Sequence, residues 1–169
     1  MTRTRFTVTN FAKHILNRLF AGIAVCFASL IVLTGATLAG DVSIMDAPEA
    51  HEKAKKGEIV LVDVRTPQEW QHTGVPTTAH AITMHQDSQV FLSRVLSAIG
   101  GDEKVPVAII CRTGSRTTKL SKPLAKVGFT VINVVEGVVG GPRGPGWKNR
   151  GLPVRAWTPK DTGPQLAAQ

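Results

Sequence analysis

The run Val107-Ala-Ile-Ile-Cys-Arg-Thr-Gly-Ser-Arg116 holds the residue types best suited to chemistry. An apolar segment ends in Cys111, and the pattern predicts a helix over about 115–127 just beyond it. In open α/β sheets, ligands bind beyond the carboxyl ends of the strands. The short connection is expected to turn its backbone N–H groups toward one point, at the positive end of the helix dipole. Arg112 and Arg116 add two permanent positive charges. All three effects favour thiolate over thiol, and the same surroundings suit the negative oxygens of a substrate during attack. A cysteine closing a buried strand is also a common small hydrophobe. The Arg-Thr-Gly-Ser-Arg that follows Cys111 directly points instead to a working nucleophile.

Cysteine usage sharpens that reading. The chain has two cysteines, Cys26 and Cys111. Residues 1–18 carry Arg3, Arg5, Lys13 and Arg18, and residues 19–40 carry no charge, ending in small residues around Thr34–Gly40. This is the layout of a secretory signal, with residues 1–39 removed after Ala39 (or after Ala36). An uncleaved anchor over 19–40 is the alternative, since such a stretch is long enough to span a bilayer. Either way the basic flank stays inside and the rest is exported, to the periplasm or beyond, with the domain outside the cytoplasm. Cys26 lies within the leader, so Cys111 is left unpaired in a compartment that favours disulfides.

Composition bounds the remaining possibilities. The 169 residues suffice for one domain, and 43% apolar content supports a packed core. The formal charge is +8, but without residues 1–40 there remain 16 basic and 12 acidic residues, or +4. That mild excess suits small anions better than a nucleic-acid surface, so no nucleic-acid partner is expected.

The elements that must hold the cysteine follow from periodicity and punctuation. Asp46 caps a helix over about 47–56, whose Lys53, Lys55 and Lys56 form an exposed, dipole-favoured end. Ile59–Val64 is an apolar run broken only by Asp63, as in a strand buried on both faces. Thr66-Pro67-Gln68-Glu69 reads as a capping box opening a short helix to about His72. Gly74-Val75-Pro76 is expected to be a loop, and Ala79–Met84 a short strand. Asp87 caps a helix that Gly100-Gly101 stops. Strands are expected at Val105–Cys111 and Thr130–Val135, and Pro123 is expected to kink or break the helix between them. Residues 137–153 are so rich in Gly and Pro that a long loop is expected, and 158–169 should be a poorly ordered tail. Strands alternating with helices predict an α/β domain over about 41–157 with a parallel sheet.

Several of these segments together resemble a single-domain rhodanese, a thiosulfate sulfurtransferase-like protein. They are Asp63-Val-Arg65, Glu69-Trp70, Gly74-Val-Pro76, Cys111-Arg-Thr-Gly-Ser-Arg116 and Gly151-Leu-Pro-Val154. The resemblance spans about 43–155 and implies a three-layer fold, with a central parallel sheet of about five strands flanked by helices. It also implies that Cys111 takes sulfane sulfur from a small anionic donor such as thiosulfate. The resulting persulfide is discharged to cyanide, to a thiol or to a sulfur-accepting protein, without metal or organic cofactor. Arg112 and Arg116 would hold oxyanions, and the amides of Thr113, Gly114, Ser115 and Arg116 would form the cradle. Asp63 and Arg65 would be structural. Thr77-Thr78-Ala79 departs from the Gly-Ala usual after the Gly-x-Pro turn, and the loop 137–146 is positioned to reshape the pocket mouth.

Rival chemistries are less well served. Cysteine phosphatases, and the related arsenate chemistry, use a similar cradle with one more residue between Cys and Arg. Here four intervene, from Arg112 to Ser115. Taken with the resemblance to a rhodanese, the smaller ring implies a cradle for one sulfur atom rather than for a tetrahedral oxyanion. A non-enzymatic persulfide carrier or interaction module is the second reading. His51, His72, His80 and His85 have no metal spacing and are expected to be solvated or satisfied. Trp70 is expected to anchor packing, and Trp147 and Trp157 to be lids or core edges.

Overall fold

Five strands run parallel in the main sheet of the computed structural model, which describes residues 42–162. The segment expected to be a leader (1–39, or an anchor over 19–40) and residues 163–169 lie outside the described residues. No described helix is long and apolar enough to cross a membrane.

The strands are β1 (Val42–Met45), β2 (Val60–Asp63), β4 (Ala79–Ala81), β5 (Val107–Ile110) and β6 (Val131–Val134), in the order β1-β6-β5-β2-β4. Two further segments, β3 (Val75–Pro76) and β7 (Val154–Arg155), pair antiparallel as a small ribbon. The expected loop at Gly74–Pro76 is therefore half of a two-residue ribbon, because its partner lies far along the chain. β1 was not expected as a strand; it is short, and only Met45 of its four residues is buried.

Helices α1 (Ala47–Lys55) and α2 (Pro67–Thr73) cover one face, and α3 (Ser88–Ala98) and α4 (Ser115–Lys126) the other. Asp46 caps α1 by accepting from the Glu49 amide at 2.9 Å. Thr66 and Glu69 form the expected capping box of α2. Alternation along β5 supplies both layers. Ala108 and Ile110 pack with Trp70 and Trp147, while Val107, Ile109 and Cys111 pack with Phe91, Val95 and Leu124. Each fully buried aliphatic side chain stabilises the fold by roughly 1.5–3 kcal/mol.

Pro123 does not break its helix: α4 continues from Ser115 to Lys126. Pro123 lies on the exposed side with Lys119, whose carbonyl loses its amide partner, so water can take that oxygen. The loop from 137 to 153 is held by Glu136, whose carboxylate accepts from Arg150 at 2.7 Å and from the Gly146 amide at 3.0 Å. The Arg150 contacts, more than burial opposes, hold the Glu136 carboxyl below its usual range. Trp147, on that loop, is a wholly buried core residue. Beyond β7 the chain makes one 3-10 turn, Pro159–Thr162, fastened by the Asp161 carboxylate on the Thr158 amide. That turn falls within the segment expected to be poorly ordered.

Candidate active site

Cys111 follows β5 directly, at the carboxyl end of the central strands, four residues before the first residue of α4. Its side chain is wholly buried, and Sγ lies 3.6 Å from Oγ1 of Thr117, which is also buried. The Thr117 hydroxyl is 3.1 Å from the Gly114 carbonyl. One proton on that hydroxyl can therefore serve either the carbonyl or the sulfur. Thr117 escaped the sequence reading; a hydroxyl in the first turn after the cysteine loop was the available signal.

The loop is fixed from behind. Val138 donates its amide to the Cys111 carbonyl at 2.9 Å, and Val139 donates to the Arg112 carbonyl at 3.0 Å. Gly114 caps α4 at φ 86°, in the left-handed region, and a Cβ there would collide with the Val135 carbonyl. Gly137, at φ 70°, leaves no room for a Cβ against the backbone of Arg112 and Thr113. By contrast, none of the amides from Arg112 to Thr117 finds an acceptor elsewhere among the described residues. Six consecutive unfilled donors at the start of a twelve-residue helix make a strong setting for negative charge.

The predicted residues do not all converge. Arg112 is exposed and lines a cavity of about 380 Å³ with Arg65, Gln68, Glu69, His72, Thr73 and Val139. Thr113, Gly114 and Ser115 line a second hollow, of about 360 Å³, with Thr118, Lys119, Pro142 and Arg143. Arg116 donates to both carboxylate oxygens of Glu69, at 2.7 and 2.5 Å. It is thus committed to a wall residue rather than free for an oxyanion. Burial pushes the Glu69 carboxyl upward, but the Arg116 and Thr66 hydrogen bonds and the charges of Arg116 and Arg65 outweigh it, giving about 2. Arg116 holds its proton more tightly than usual, chiefly through the Glu69 hydrogen bond and to a lesser degree through the charges of Glu69, Cys111 and Asp63. The sequence offered Glu69 as a capping residue and as part of the Glu69-Trp70 segment, but not as the partner of Arg116, 47 positions away.

Asp63 and Arg65 form a wholly buried pair at 2.6 Å. Arg65 also donates to the Gly74 carbonyl at 2.7 Å and to the Thr73 hydroxyl at 2.5 Å. His80 titrates below its usual value because burial, then the Arg155 charge, disfavours its cation. Among the described residues, no three His, Cys, Asp or Glu side chains gather closely enough to hold a metal ion.

The family pattern described as Rhodanese-like domain matches residues 46–140, which contain the cysteine loop, the buried Asp63–Arg65 pair and every strand of the main sheet except β1. The chain belongs to the rhodanese-like domain family. Among curated proteins, this rhodanese-like chain is 33% identical over 106 residues to the uncharacterized protein RP600 of Rickettsia prowazekii, covering 55% of this chain and 80% of that one. It is 31% identical over 98 residues to the RP600 homolog of Rickettsia rickettsii, with the same coverage. Among solved structures, the rhodanese-like fold is similar to Rv0390 from M. tuberculosis, with a TM-score of 0.53, 25% identity, and coverage of 70% and 99%. It is likewise similar to the polysulfide-sulfur transferase homodimer of Wolinella succinogenes, with a TM-score of 0.52, 25% identity, and coverage of 70% and 81%. The domain therefore has a sulfurtransferase-type fold.

Proposed function

We propose that this rhodanese-like domain is an exported sulfurtransferase that moves sulfane sulfur through a persulfide on Cys111. The observation that carries the reading is the thiol's seat at the end of β5, beneath six unfilled amides at the start of α4. Similarity to a polysulfide-sulfur transferase supports the same chemistry. With thiosulfate as donor, the Cys111 thiolate attacks the outer sulfur. The S–S bond breaks, and sulfite leaves with the electron pair. A thiophilic acceptor, such as cyanide or a thiolate, then attacks the terminal persulfide sulfur, and the Cys111 thiolate departs. The amides stabilise the anionic sulfur at each stage. Arg112, exposed at the larger cavity, is the cation available to a donor's oxygens. No organic cofactor enters either step.

The test is thiocyanate release from thiosulfate and cyanide by the mature domain, compared with Cys111→Ser. A loss of more than about a hundredfold on substitution is expected, as for removal of a covalent nucleophile. Equal rates from the two proteins would refute the assignment. Protease accessibility of the domain in intact cells tests export.

The enclosure of Sγ favours one second reading, a persulfide carrier with little turnover on small acceptors. Mass spectrometry would then show one added sulfur on Cys111 with negligible thiocyanate.

A further inference from the structure

On the side of the cysteine loop away from Arg112, α4 presents basic side chains along its length, with Glu103 beside Gly128 just past its far end. Helix α4 contains no acidic residue, and its Lys119, Lys122 and Lys126 are all exposed at a spacing that forms one stripe. Arg143 extends the stripe past the N-terminal end of the helix, donating to the Thr118 hydroxyl at 2.6 Å. Among the described residues, none of these four cations forms an ion pair.

An uncovered strand lies alongside. Among the described residues, β1 is an edge of the sheet, paired only with β6. Its register sets Val42 beside Val131 and Ile44 beside Asn133. Val131 packs with Leu124 of α4, and Asn133 donates to Thr118 of α4, so both β1 side chains lie on the α4 side. Ile44 is 73% exposed, Val42 38%, and Val127 at the end of the helix 54%. Edge strands are commonly blunted by charge or proline, yet Val42-Ser-Ile-Met45 carries neither. At its upper end the stripe meets the hollow lined by Thr113, Gly114 and Ser115.

Resting on the persulfide reading above, we propose that the β1 edge and the α4 stripe dock an extended acidic segment of a sulfur-accepting protein, whose cysteine is thereby brought to the Cys111 loop. The open edge offers main-chain hydrogen bonds, the apolar side chains offer contact area, and the cations select acidic sequences. The apolar residues argue against a nucleic-acid strand. A second copy of this basic face would be repelled by its own charge.

Three synthetic cysteine peptides of equal length test this, one Glu-rich, one neutral and one Lys-rich, each with the same Val residues. The persulfidated full domain should transfer sulfur to the acidic peptide with a kcat/KM about tenfold above that for the basic one at low salt. The gap should close near roughly 0.5 M salt. The double variant Lys122→Glu, Lys126→Glu should abolish the preference for the acidic peptide while leaving thiosulfate–cyanide turnover unchanged. Equal kcat/KM for all three peptides, with the persulfide present, would overturn the docking surface and spare the sulfur chemistry. If no persulfide forms, fluorescence anisotropy of the labelled peptides decides the docking surface alone: preference for the acidic peptide supports it, and equal binding overturns it. Equal affinity for a single-stranded oligonucleotide or for phosphatidylglycerol vesicles would also overturn it, as would concentration-dependent dimerisation that excludes the peptide.

Discussion

Two arginine–carboxylate pairs flank α2, and they differ in what they hold. Asp63–Arg65 joins residues two apart, has no exposed side-chain surface, and is completed by Thr73 and the Gly74 carbonyl. Glu69–Arg116 joins residues 47 apart, and each side chain is about a quarter exposed, at 24% and 26%. The first is a post inside one connection, between β2 and β3. The second is a tie between α2 and the first turn of α4, the helix that begins at the cysteine loop. Burial makes the first pair costly to break, since either partner alone would be a stranded charge. Solvent makes the second cheaper to open and leaves its worth dependent on pH and salt.

The largest expected effect breaks the first pair. Arg65→Ala strands the Asp63 carboxylate and the Gly74 carbonyl and should cost about 3–5 kcal/mol. That is a fall in Tm of more than roughly 10 °C, read by calorimetry. A loss below about 1 kcal/mol would mean that water reaches the pair and that it is no costlier to open than the exposed one.

Glu69→Gln sharpens the contrast from the other side. It should cost about 1–2 kcal/mol after allowance for solvent screening, and a double-mutant cycle with Arg116→Gln should show the two losses to be shared rather than additive. The Glu69 carboxyl sits at about 2 in the fold against an ordinary 4.5. Its stabilisation is therefore complete above pH 4.5 and lost as pH falls from there toward 2. Denaturant titrations should show wild type losing stability over that window and the Gln variant losing less. Parallel curves would assign the acid limb to other carboxylates.

The smallest change belongs to Arg155–Asp161, a partly exposed pair at 2.8 Å near the end of the described chain. Arg155→Ala should shift stability by less than about 1 kcal/mol. A larger loss would show that the 3-10 turn of residues 159–162 supports the β3–β7 ribbon.

What the sequence revealed follows the range of each signal. The capping box at Thr66–Glu69, the Asp46 and Asp87 caps, the apolar run at β5 and the cysteine loop are local patterns, and each forms where its chemistry indicates. The features missed depend on distant partners. Val75 pairs with Arg155, Glu69 meets Arg116, and Glu136 binds Arg150 across a loop whose Gly and Pro content suggested only irregularity. β1 has too few buried side chains to announce itself and becomes a strand through β6. At the site, Cys111 and the start of α4 stand where expected. The sharing of Arg116 with Glu69, and of Arg112 and Thr113 between two cavities, is decided by packing that no local pattern encodes.

The glycine at 137 carries a consequence for how this site can change. With its Cα pressed on the Arg112–Thr113 peptide and the next two amides bound to the carbonyls of Cys111 and Arg112, the thiol's connection and the turn after β6 are a double strand in miniature. Lengthening the connection by one residue would throw both bonds out of step. The neighbouring turn would then need to be rebuilt as well, so the circumference of the ring is set by two segments that must vary together.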